Sequence, residues 1–135
     1  MKEDRVFVDT NVLVYAYDRT AKEKHQTARE ILLDLWKTGN GVISTQVLQE
    51  FFVNVTRKIP NPMSPTMART IVADFLKWTV VIVTGELILE AIDLQMKHRL
   101  TFWDSMVVSA AILENTQMLY SEDLQDGLVP CNTRF

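Results

Sequence analysis

Three of the seventeen acidic residues, Asp9, Asp104 and Asp123, stand where the chain's pattern of elements would let them act together, with Glu50 a plausible neighbour. Asp9 closes the apolar run Val6-Phe7-Val8, which reads as a buried strand, and Asp123 follows a second such run, Met118-Leu119-Tyr120-Ser121. Asp104 falls in the first turn of a largely apolar helix opened by Thr101, on the side of the helical wheel shared with Val107, Val108 and Ala111. Glu50 lies in the second turn of a helix introduced by Ser44-Thr45, and the wheel turns it away from that helix's apolar face, toward solvent. Carboxylates brought close together repel and push each other's pKa upward unless a cation neutralises them. Each acid also has an ordinary explanation. Asp9 suits a helix cap, Asp104 completes a capping box with Thr101, and Asp123 suits a turn. The two histidines, His25 and His98, and the single cysteine, Cys131, have no zinc-ligand spacing, and Cys131 reads as a small apolar filler.

The elements that must position these acids follow from periodicity and caps. Arg5 to Val8 predicts the first strand and Val12 to Tyr17 a brief helix; Lys22 to Lys37 carries Ala28, Ile31, Leu32 and Leu35 at helical spacing and stops at Gly39-Asn40-Gly41. A second strand spans Gly41 to Ser44, and a helix with Val47, Leu48, Phe51, Phe52 and Val55 on one face ends before Pro60-Asn61-Pro62. Ser64-Pro65 opens a helix to about Lys77, a hydroxyl cap followed by proline in the first turn. Thr79 to Val83 is β-branched enough for a third strand, Thr84 caps a helix that closes at Lys97-His98-Arg99, and the Thr101 helix runs to about Glu114. Met118 to Ser121 is a fourth strand, residues 122 to 127 a turn, and Val129 to Asn132 a short edge strand. Strands alternating with helices predict a three-layer α/β/α fold around a mainly parallel sheet of four to five strands, and such sheets bind ligands beyond the carboxyl ends of their strands. Asp9 and Asp123 share that rim if the first and fourth strands are neighbours.

Four segments taken in order resemble the successive motifs of PIN domains: Val6-Phe7-Val8-Asp9-Thr10-Asn11-Val12-Leu13; Ile43-Ser44-Thr45 with Glu50; Phe102-Trp103-Asp104-Ser105; and Leu119-Tyr120-Ser121-Glu122-Asp123-Leu124. The resemblance spans residues 1–135 as a single PIN domain and is nearest to the VapC-like toxins of bacterial and archaeal toxin–antitoxin systems. It implies an acidic quartet of Asp9, Glu50, Asp104 and Asp123 around a divalent metal, magnesium or manganese, supported by the polar residues Asn11, Ser44 and Ser121. Glu122 or Asp126 remains an alternative to Asp123 at the last position. The activity implied is endonucleolytic cleavage of RNA leaving a 3′-hydroxyl, on transfer, ribosomal or messenger RNA. Asp9, Asp104 and Asp123 would hold the metal or its waters and Glu50 would position or deprotonate the attacking water. A homodimer and a cognate antitoxin whose C-terminal segment occludes the site are implied as partners. The alternative is a catalytically silent PIN-fold module that binds RNA or protein, and the presence of all four acids counts against it.

Composition narrows the remaining classes. With 47% hydrophobic and 23% charged residues the chain matches an ordinary soluble domain, and the lone cysteine excludes an internal disulfide. The mixed-charge N-terminus is no signal peptide and no apolar run is long enough for a membrane span, so a cytoplasmic location is expected. The net charge of −3 argues against holding nucleic acid by bulk charge, and leaves local clusters such as Arg57-Lys58 and Lys97-His98-Arg99 for phosphate contacts. Trp36, Trp78 and Trp103 read first as packing residues and second as stacking platforms for bases. A phosphatase of the haloacid dehalogenase type would resemble Asp-x-Asp after the first strand, but Asp9 is followed by Thr10-Asn11. No Gly-x-Gly-x-x-Gly follows any strand, which excludes a dinucleotide fold.

Overall fold

The computed structural model describes residues 5–122 and 132–134. In chain order the elements are β1 (Val6–Val8), α1 (Thr10–Tyr15), α2 (Glu23–Thr38), β2 (Gly41–Ser44), α3 (Thr45–Val53), α4 (Pro65–Phe75), β3 (Thr79–Val81), α5 (Gly85–Lys97), α6 (Phe102–Leu113), β4 (Met118–Tyr120) and β5 (Asn132–Arg134). A 3₁₀ turn at Arg19–Ala21 leads into α2, and a π-helical turn at Asn54–Lys58 extends α3. The sheet has the order β3-β2-β1-β4-β5, and every adjacent pair is parallel. Its helices complete a three-layer α/β/α fold. Among the described residues, no helix is long and apolar enough to cross a membrane.

The helix starts are dictated by side chains that accept the otherwise orphaned first-turn N–H groups. Ser44 accepts from Val47 N, Ser64 from Met67 N with Pro65 behind it, Thr84 from Leu87 N, and Thr101 from Asp104 N. Gly39 ends α2 in the left-handed region at φ 77°, where a side chain would be strained. The sheet strands are short and their core residues bulky: Phe7, Val8, Val42, Ile43 and Leu119 are fully buried. Helix α6 is covered almost all round, with every residue from Ser105 to Ala111 buried, as its nearly continuous apolar sequence requires. It packs against α5 and reaches β2, while α1 packs against α2 and α3, and α3 against α4.

Several boundaries differ from the sequence reading. Helix α1 begins at Thr10 and not Val12, because Asp9 is itself the cap. Strand β3 stops at Val81, and Ile82, expected inside it, is 68% exposed. Helix α4 ends at Phe75, with Trp78 hydrogen-bonded back to Phe75 in a turn instead of extending the helix to Lys77. The fifth strand lies at Asn132–Arg134 and pairs with β4, downstream of the expected Val129 to Asn132. The predicted turn beyond Glu122, with Asp123, Asp126 and Cys131, lies outside the described residues.

Trp36, Phe75 and Trp78 form an aromatic cluster, with ring centroids 4.9 Å apart for Phe75–Trp78 and 5.4 Å for both Trp36 pairs. The Trp78 indole lies over Gly41: a Cβ there would sit 2.5–2.7 Å from three ring carbons. Strand β2 therefore needs glycine for close approach and not for an unusual φ. Gly41→Ala is expected to lower stability by about 1–3 kcal/mol, since the indole would have to shift against its Trp36 and Phe75 neighbours. Urea unfolding reads this directly, and an unchanged midpoint would show that the cluster yields.

Candidate active site

The chain leaves β1 toward β2 on one side, while β4 returns to β1's other side, so the sheet's switch point lies between β1 and β4. Crevices form beyond the carboxyl ends of strands at such points. Asp9 is the first residue after β1 and Ser121 the first after β4. The two meet there: the Ser121 hydroxyl donates to Asp9 Oδ2 at 2.8 Å, while Thr10 N donates to Oδ1 at 2.7 Å. Asp9 is only 5% exposed. Burial pushes its carboxyl up to about 6; the bonds from Ser121 and Thr10 oppose the shift, and the neighbouring Asp104 and Glu50 charges add to it. An aspartate that both caps α1 and sits under two other carboxylates is a place where negative charge is in excess.

Glu50 comes from α3. The Thr10 hydroxyl donates to its Oε1 at 2.6 Å and Gln46 Nε2 to its Oε2 at 3.4 Å, so the carboxylate is half-buried and anchored across two elements. This corrects the helical wheel, which turned Glu50 to solvent: the partner stands on α1, forty residues away in sequence, and α3's own apolar face does not report it. Asp104 is half-buried in the first turn of α6, where its N–H is received by the Thr101 hydroxyl at 3.1 Å, so its capping role is real too.

Asp9, Glu50 and Asp104 all line one cavity of about 670 Å³, together with Thr10, Asn11 and Tyr15 of α1, and with Lys58 and Trp103 on its walls. Among the described residues, no group of three or more His, Cys, Asp or Glu side chains is placed to hold a metal ion by itself. The donors that three separate elements bring to the cavity are nonetheless oxygens, the set that magnesium and manganese take, and a hard divalent ion commonly uses one or two carboxylates directly and others through water. His25 is engaged elsewhere, with Nδ1 2.9 Å from the Tyr15 carbonyl.

The supporting residues divide. Asn11 lines the cavity, and its Oδ1 lies 3.4 Å from Glu122 N. Ser44 is buried, and its hydroxyl caps α3 without reaching the cavity wall. Glu122 is held by Lys24, whose Nζ is 2.5 Å from Oε2, and by the Tyr15 hydroxyl, which donates to Oε1 at 2.6 Å. Lys24 first and Tyr15 second hold its carboxyl below the usual range. Both of its oxygens are thus engaged on the α1–α2 side. Two of these participants, Tyr15 and Lys24, carry no signal in the sequence, because their contacts depend on the α1–α2 corner.

A sequence profile of the PIN domain family matches residues 6–125. No curated protein sequence matches the chain. Among solved structures, the chain is similar to Mycobacterium tuberculosis VapC20, described as a Sarcin-Ricin loop cleaving toxin, with 21% identity, a TM-score of 0.66, and 87% of this chain and 89% of that one covered. It is also similar to a toxin–antitoxin complex from Klebsiella pneumoniae, with 13% identity, a TM-score of 0.72 and 96% of each chain covered. A third similar structure is VapBC2 from Rickettsia felis bound to a DNA fragment from their promoter, with 20% identity, a TM-score of 0.67 and 96% of each chain covered. At these identities the likeness is one of fold.

Proposed function

The chain belongs to the PIN domain family, and from that premise we propose that it is a metal-dependent endoribonuclease, the toxin of a VapBC-like toxin–antitoxin pair. The observation that carries the proposal is geometric: buried Asp9, at the switch point, lines one cavity with Glu50 and Asp104, and its carboxyl is pushed up to about 6 by burial first and by those two charges to a smaller extent, a charge that a hard divalent cation would relieve. The names of the similar structures agree, one being described as a Sarcin-Ricin loop cleaving toxin, one as a toxin–antitoxin complex and one as VapBC2.

Asp9, Asp104 and Asp123 are assigned to hold magnesium or manganese or its water shell. When bound, the ion supplies Lewis acidity toward the phosphodiester and acidifies water at neutral pH. Glu50, oriented by Thr10, positions the attacking water and accepts its proton. Ser121 orients Asp9 through Oδ2, and Asn11 steadies the chain after β4. The expected partners are RNA, a cognate antitoxin and a second copy of the chain, and the expected location is the cytoplasm.

The test is incubation of purified protein with a mixed pool of transfer, ribosomal and messenger RNA in magnesium, manganese or EDTA. Discrete cuts in both metals and none in EDTA are expected. Cuts that persist in EDTA would overturn the metal dependence, and an intact pool in all three conditions would overturn the proposal in favour of a binding module.

A further inference from the structure

Trp103 is the tryptophan that the core does not use. Trp36 and Trp78 are ringed around Phe75, whereas Trp103 is 61% exposed at the mouth of the acidic cavity, directly before Asp104. The seven residues of α6 from Ser105 to Ala111 are buried, so this helix offers its one large exposed ring where the acids converge. Phe102 packs at a ring-centroid distance of 5.1 Å and 73°, holding the indole at a fixed tilt.

Another wall presents a cation by a specific backbone device. Along an α-helix every fourth residue drifts by about 40° around the axis, so the line Gln46, Glu50, Asn54 would carry Lys58 away from the cavity. The π-helical turn Asn54–Lys58, closed by Ile59 N to Asn54 O at 3.2 Å, is wider and reverses that last drift. Lys58 therefore lines the same cavity as Glu50.

Resting on the nuclease reading above, we infer that the mouth of this cavity takes one unpaired RNA nucleotide, its base against the Trp103 indole and its phosphate against the Lys58 ammonium. A cavity of about 670 Å³ is of the size that encloses a single small ligand. A base can reach an aromatic ring only when it is splayed from its own stack, because the grooves of an A-form duplex keep base faces hidden. Lys58 supplies the positive charge that a phosphate needs beside three carboxylates. Trp103 and Lys58 thus grip the nucleotide by its ring face and its charge, and the identity of the base is read weakly by stacking.

The test uses the full chain with magnesium and the cuts it makes in the RNA pool. Cuts are expected at unpaired positions, and annealing a complementary oligonucleotide across a cut is expected to abolish it. Trp103→Ala should raise KM about five- to a hundredfold with kcat little changed, as loss of uniform binding does, and Trp103→Phe should restore most of the loss. Lys58→Arg should likewise restore what Lys58→Ala loses. Cleavage inside duplexes, or a wild-type KM for Trp103→Ala, would overturn the inference while leaving the nuclease reading intact, and the second result would assign Trp103 to a protein contact. If the wild type cuts nothing, the nuclease reading falls, and binding of a twelve-nucleotide unstructured RNA then decides. Quenching of tryptophan emission that is lost in Trp103→Phe upholds the inference, and no quenching overturns it.

Discussion

Asp9→Asn is expected to give a protein whose RNA cleavage is weaker by about a hundredfold or more and that, in EDTA at pH 8, melts about 5–10 °C above the wild type. The two effects share a cause. Burial raises the Asp9 carboxyl from its ordinary 3.8 to about 6, so holding it ionised costs the fold roughly 3 kcal/mol once the pH exceeds that value. The sign is that of a raised acid: between about pH 4 and 6 the folded state binds more protons than the unfolded one, and stability falls as pH rises. Asparagine is neutral at every pH, still accepts from Thr10 N through its oxygen, and can donate its amide to the Ser121 hydroxyl. Its advantage should therefore be full at pH 8 and vanish below about pH 4. Magnesium should raise the melting temperature of the wild type and leave the variant nearly unmoved. Activity should fall on the order of a hundredfold or more, since even the outer-shell partners of metal ligands cost that much. Equal melting temperatures at pH 8 would show that Asp9 is not the seat of the stored charge.

How much of this was legible in the sequence depends on where each signal originates. Helix starts carry local signals, and Ser44, Ser64, Thr84 and Thr101 each cap the helix that the sequence assigned to it. The parallel sheet was legible from alternation of strands and helices, because buried strands such as Val6-Phe7-Val8 leave little ambiguity about their neighbours. The ends of strands were less so. Ile82 looks like strand by composition, but the sheet ends where its partner β2 ends, at Ser44 opposite Val81. The π turn at Asn54–Lys58 has no composition signal of its own, so the face on which Lys58 emerges is not the one an α-helical wheel assigns it.

The site was legible to the extent that its residues sit at element ends. Asp9 could be placed at the rim because it follows a strand, and Asp104 in its first turn because a cap defines its helix, whereas Ser121, read as the last residue of the fourth strand, stands just beyond it. Glu50 was reachable only through the family resemblance, since its surroundings come from α1, and a helical wheel knows only the helix it is drawn for. The bland and the functional readings also turn out to be compatible: Asp9 caps α1, and the Asp104 N–H is capped by Thr101, while both carboxylates line the cavity.

Glu50 and Thr10 furnish the other large effect. Glu50→Gln keeps the shape, and its amide oxygen can still accept from the Thr10 hydroxyl, while the backbone carbonyl still receives the Asn54 amide at 2.7 Å. The fold should hold within about 0.5 kcal/mol, yet kcat should drop by roughly 10²–10⁴, the worth of a positioned general base. Thr10→Val removes only the 2.6 Å bond that aims the carboxylate, so kcat should fall about tenfold, and Thr10→Ser should recover it. If Thr10 works through Glu50, the two changes are not additive: Thr10→Val in the Glu50→Gln background should cost little more than Glu50→Gln alone. Full additivity would mean that Thr10 meets the substrate or the water by itself. A Glu50→Gln enzyme with wild-type kcat would remove the base from α3 altogether and leave the proton to another carboxylate of the cavity.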